Sequence, residues 1–147
     1  MAHVRKTIRD ALTSTLTGLA TTGSNVYQTR VYPLAESRLP GLAIYTKNEE
    51  TTYETINKPR TLGRDLTLVV EAYVKGTSGY DNTLDDIAKE IEVAVYNDVT
   101  LNGICKDVMI TSFDADFSGE GDQPVAFATI EIVANYVTTE GSPEVAQ

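Results

Sequence analysis

Apolar residues recur every three or four positions at the start of the chain: Val4, Ile8, Leu12, Leu16 and Leu19. That spacing predicts an amphipathic helix over residues 3–19, ended by Gly18, Gly23 and the TTGSN loop. NVYQTRVY, residues 25–32, is rich in Val and Tyr and predicts a strand that stops at Pro33. Leu42 and Ile44 then alternate with Ala43 and Tyr45, a strand that runs out into the polar stretch KNEETTYETINKPR, Lys47–Arg60. Pro59 breaks it, because proline cannot donate to a central strand ladder. The clearest strand follows, with Leu66, Leu68, Val70, Ala72 and Val74 alternating against Asp65, Thr67, Val69, Glu71, Tyr73 and Lys75. Leu84, Ile87, Ile91, Ala94 and Val95 return to the helical period, with Asp81 or Asn82 as the expected cap. Two strands close the pattern: one alternates loosely through Val108, Ile110 and Phe113, and the other, PVAFATIEIVANYV, is long and β-branched. Short turns between strands imply antiparallel pairing. The expected architecture is therefore α+β: an antiparallel or mixed sheet with two helices packed on one face, in one two-layer domain over residues 1–138. Residues 139–147 read as a flexible C-terminal tail.

The 147-residue length suits one domain, and 41% hydrophobic residues can supply its core. No apolar run is long enough for a membrane helix. Cys105 is the single cysteine, so an internal disulfide is excluded. The formal charge of −9 argues against a nucleic-acid grip, which needs a cationic face. Lys58, Arg60 and Arg64 are the nearest approach to a basic patch.

Acids concentrate in DADFSGEGD, where nine residues hold four carboxylates. Counted as a calcium loop from Asp114, positions 3, 5 and 6 are Asp116, Ser118 and Gly119, as an EF-hand requires. Position 12 is Val125, which offers no oxygen, and the flanks read as strands instead of helices. A hairpin tip with solvated acids is the favoured reading. Asp114, Asp116, Ser118 and Asp122 stay as candidate ligands only for a weak divalent cation at a subunit junction.

Catalytic chemistry has few residues to draw on. His3 is the only histidine and sits near the N-terminus. Neither a zinc set nor a nucleophile–histidine pair can be assembled without it. No glycine-rich phosphate cradle is present. The chain is read as a non-enzyme without a cofactor.

The order of elements, together with VRKTIRDALTSTL and RVYPLAESRLPGLAIY, resembles the tail terminator proteins of long-tailed (siphovirus-type) bacteriophages, the minor tail protein U family. The resemblance implies a structural virion protein. It implies a ring, usually of six subunits, that caps the tail tube, ends tube polymerisation and offers a surface for head–tail joining. The implied partners are further copies of the chain, the tail tube protein and the head–tail connector or neck protein. DNA would pass through the lumen without specific binding, and no membrane is involved. The implied location is the neck-proximal end of the phage tail, after assembly in the host cytoplasm. Under this reading Lys47–Arg60 is an interface element. Tyr53 is its anchor, Glu49, Glu50, Lys58 and Arg60 pair across subunits, and Arg64 lies nearby. Competing readings are another neck, tail-completion or tail tube protein, and, from a different class, a small divalent-metal-binding module.

Overall fold

The computed structural model describes residues 2–28, 39–76, 79–118 and 125–147. Among these residues two helices, α1 (Val4–Leu16) and α2 (Tyr80–Tyr96), cover one face of a five-stranded sheet. The strands are β1 (Val26–Tyr27), β2 (Gly41–Tyr53), β3 (Thr61–Lys75), β4 (Asp107–Ser118) and β5 (Val125–Thr139). Their spatial order is β1-β2-β3-β5-β4. Only β1 runs parallel to its neighbour; every other pairing is antiparallel. The sheet is mixed and the domain is α+β, as the hydrophobic pattern predicts.

The core is the sum of the predicted stripes. Val4, Ile8, Leu12 and Leu16 of α1 and Leu84, Ile87, Ile91 and Val95 of α2 are buried. They meet Leu66, Leu68, Val70, Ala72 and Val74 of β3 and the even-numbered residues Ala126 to Tyr136 of β5. Truncating one such aliphatic side chain to alanine costs about 2–5 kcal/mol, so helices and sheet depend on each other for stability.

Helix α1 is shorter than its apolar period suggests. It stops at Leu16 because Thr17 is extended and Gly18 takes φ 91°, a left-handed turn that glycine adopts without strain. Leu19 still packs on the core, from the loop closed by Gly18 N–H to Gly23 O at 2.8 Å. Helix α2 is capped differently from the expectation. Gly79 occupies the N-cap with φ 86°, and Asp81 falls in the first turn. There its charge favours the helix N-terminus without a capping hydrogen bond. Glu90 of α2 receives the backbone N–H of Thr21 at 2.9 Å and its hydroxyl as well, tying the loop after α1 to the second helix.

Two bulges explain where the alternation loosens. In β2 the register shifts between Thr46 and Asn48, and in β4 between Ile110 and Ser112. The second places Val108, Ile110 and Phe113 on the same side despite the uneven spacing, through their partners Ala134, Ile132 and Ile130. On the opposite face Lys47 reaches Glu131 at 3.2 Å, and Ser112 donates to the other oxygen of Glu131 at 3.5 Å. One carboxylate thus links the two bulged strands. Tyr45 and Tyr73 both donate to Glu71 on that face, and Tyr73 stacks on Phe127 at 5.8 Å.

Residues 139–147, expected to form a flexible tail, contact the rest of the domain at several points. Pro143 O accepts from the Val4 N–H at 2.9 Å, satisfying a free donor of the first helical turn. Gln147 N–H donates to Val137 O at 2.8 Å, and Ala146 packs against the core. The expected strand after Tyr27, through Tyr32, falls largely within residues 29–38, outside the described residues.

Candidate functional site

Lys47–Arg60 is not an isolated loop. Residues through Tyr53 continue β2 and pair with β3, from Asn48–Thr67 to Tyr53–Leu62. Residues 54–60 form the hairpin tip. Glu54 N–H donates to Thr61 O at 2.7 Å, and Thr61 N–H donates to the Thr55 hydroxyl at 2.9 Å. The Arg60 guanidinium lies 5.2 Å from the Tyr53 ring centroid, a cation–π contact at the root of the tip. Arg60 also approaches Glu140 at 3.9 Å. The tip is therefore braced on both sides, which lowers the entropy lost if it is captured by a partner.

The named interface residues separate into two groups. Tyr53, Glu50 and Lys58 are exposed, and Arg60 is half-buried. Glu50 stands opposite Asp65 in register, a like-charged pair that neither strand neutralises. Glu49 and Arg64 are different. The β2 bulge turns Glu49 onto the helix-covered face, opposite Leu66. Its side chain is only 6% exposed, and Arg64 and Arg5 approach its Oε1 at 3.0 and 3.1 Å. The Tyr136 hydroxyl donates to Oε2, and Arg64 Nε donates to the Thr138 hydroxyl at 3.0 Å. Burial first, and then the Glu49 carboxylate, push the Tyr136 phenol upward, so it stays protonated and remains a donor. The pairing of Glu49 across subunits, expected from sequence, gives way to a pairing within the chain. A carboxylate already holding three donors has little left to offer a second copy.

The acidic stretch is divided by the strands. Asp114 and Asp116 lie on β4 and pair in register with Thr129 and Phe127 on the face away from the helices. Asp116 accepts the Phe117 N–H at 2.7 Å. Ser118 ends β4 and pairs with Val125, and Asp122 lies outside the described residues. No group of three or more His, Cys, Asp or Glu residues suited to a metal occurs among the described residues. Cys105 is buried, and that burial, reinforced by Asp98, pushes its thiol up to about 12. His3, the only histidine, precedes α1. Its Nδ1 accepts the Arg5 N–H at 3.1 Å and caps α1.

Two features escaped the sequence reading. Ile56, at the hairpin tip, is 93% exposed, more than any other large apolar residue described. A lone isoleucine within ETINKPR was its only signal. The second is a groove of about 340 Å³ between α2 and β4, with Ile110, Phe113 and Ile130 as its floor. Ala88 forms a wall, and Asp85 and Glu92 stand at the rim. Phe113 leaves 43% of its surface exposed there. The residues belong to distant segments, so only the fold brings them together.

The chain is similar to known phage proteins in sequence. The family profile described as phage minor tail protein U matches residues 2–130. No curated protein sequence matches. Among solved structures, a chain of the virion of a native gene transfer agent (GTA) particle is 14% identical, with a TM-score of 0.42. The match covers 95% of this chain and 92% of that one. The profile match spans nearly the whole domain, from the start of α1 into β5, and the chain belongs to the phage minor tail protein U family, whose members are bacteriophage tail proteins.

Proposed function

We propose that the protein is a tail terminator: a ring-forming subunit that caps the tail tube, stops its growth and presents the tail-side surface to the head connector. Membership of the minor tail protein U family carries this reading. The geometry is compatible with structural work. Described pockets hold no nucleophile–base pair, and the least solvated ionisable cluster, Glu49 with Arg64, Arg5 and Tyr136, is saturated internally. Its role is to fasten α1 to the sheet.

The net charge of −9 suits a channel through which DNA slides, since phosphate finds no overall attraction. A braced hairpin at one side of the sheet and an open groove at the other supply unlike surfaces, as a cyclic assembly requires.

Light scattering over a range of concentrations tests the ring. A discrete species near six times 16.0 kDa is expected. Adding the protein to polymerising tube subunits of the same phage should then shorten the tubes. Unlimited filaments of the purified chain would favour a tube subunit instead. A monomer at every concentration that leaves tube length unchanged would overturn the reading.

A further inference from the structure

We propose that the β2–β3 hairpin tip of one copy seats Ile56 in the groove between α2 and β4 of a second copy. The proposal rests on the subunit-ring reading and names the contact that would build it.

An exposed isoleucine alone is ordinary, because folded surfaces are rich in apolar atoms. Two further observations give this one a destination. The tip is fixed by the Thr55–Thr61 and Glu54–Thr61 hydrogen bonds and by Arg60 over Tyr53, so Ile56 is held outward on a rigid support. The groove has an apolar floor of Ile110, Phe113 and Ile130, with room for a branched aliphatic side chain. Burying both surfaces removes apolar area from water on each copy.

The charges match as well. Among the described residues, the first 75 positions hold eight Lys and Arg against six Asp and Glu, and the last 72 hold two against twelve. The fold carries that asymmetry onto opposite sides of the sheet, with α2 and β4 on the acidic side. At the tip, Lys58 is exposed beside Ile56, and Glu54 folds back over Gly63. At the groove, Asp85 and Glu92 have no cation partner among the described residues. An apolar plug with Lys58 beside it therefore meets an acidic rim around an apolar hole. Such pairing sets orientation and approach rate more than affinity.

Topology excludes the groove of the same chain, so under the ring reading the partner is another copy. Strands β3 and β5 lie between β2 and β4, so a tip cannot reach the groove of its own chain. The contact joins unlike surfaces, and unlike contacts repeat into a ring when the rotation between copies closes.

The experiment is a cysteine pair, Ile56→Cys with Phe113→Cys, oxidised in the otherwise native full chain. Cys105 is buried and should not compete. Covalent species beyond a dimer are expected from the double variant, and none beyond a dimer from either single variant. In parallel, Ile56→Asp, at a fully exposed position, should weaken assembly by at least about tenfold. Lys58→Glu should weaken it less, and Asp85→Lys with Glu92→Lys should restore the Lys58→Glu variant. If wild type forms rings, Ile56→Asp forms them equally well and the double cysteine variant stops at dimers, the contact is wrong and the ring stands. If the double variant builds a ladder while wild type stays monomeric by light scattering, the contact stands and the closed ring falls. If neither rings nor ladders form and tube length is unchanged, both are overturned.

Discussion

Arg64 donates from Nη1 to Oε1 of Glu49 at 3.0 Å, on the face of the sheet that the helices cover. Arg64 is 13% exposed in its side chain, so the pair is nearly removed from water. Removing one partner strands the other. Glu49→Ala should cost about 3–5 kcal/mol, because Arg64 keeps its charge without a counterion. Tyr136→Phe removes only one donor to Glu49 and should cost about 1 kcal/mol. Urea unfolding of both variants and their double mutant checks the ranking. Equal, small losses would mean that solvent already screens the cluster.

Acid should weaken the cap on α1. Burial first, and then the charges of Arg5 and Arg64, hold the His3 imidazole below its ordinary value of 6.5, against smaller opposing effects of Glu49 and Glu144. The unfolded chain then binds the proton more readily than the folded one. His3 therefore contributes stability above the unfolded value, and this is lost as pH falls through it towards the lower folded value. Relative to His3→Asn, which keeps a capping side chain, wild type should lose urea resistance as pH falls below the ordinary value of 6.5. Parallel curves for the two proteins would show that His3 titrates alike in both states.

Cys105 should be silent towards alkylating reagents in the folded protein. Its thiol is pushed up to about 12 by burial and by Asp98, and only the thiolate attacks. Iodoacetamide labelling at neutral pH should follow unfolding by urea. Rapid labelling of the native chain would show that the pocket opens locally.

Calcium should have little to hold on β4. Asp114 and Asp116 sit on an extended strand whose partner strand opposes them with Thr129 and Phe127. Asp114→Asn with Asp116→Asn should change stability by less than about 0.5 kcal/mol, with and without calcium. A melting temperature that rises with calcium in wild type and not in this double variant would revive the metal reading.

Sequence patterning works where strands are regular. In β3 and β5 the side chains alternate without interruption, and Leu66 to Val74 land in the core as spaced. It fails at the bulges. Strict alternation puts Glu49 on the face of Ala43 and Tyr45, but the extra residue at Lys47 turns it inward to Arg64. A bulge leaves no clear mark in a polar stretch such as TKNEE, so the internal role of Glu49 was hidden. The groove was hidden for another reason. Asp85, Phe113 and Ile130 become neighbours only when α2 packs beside β4 and β5. Exposed Ile56 was visible as a residue but not as a surface, because exposure depends on how the tip is braced.

Both bulges fall on β2 and β4, the strands that flank the continuous pair β3 and β5. A flat outer strand would template more of its own kind, and a protein concentrated at an assembly site would then drift into amyloid-like stacks. β4 is an outer strand among the described residues: its bulge twists that border out of register, and Asp107, Asp114 and Asp116 add repulsion along it. Backbone-driven growth is thereby discouraged in a subunit that we propose ends the growth of another polymer. Association is left to side chains, which can specify how many copies join and then stop.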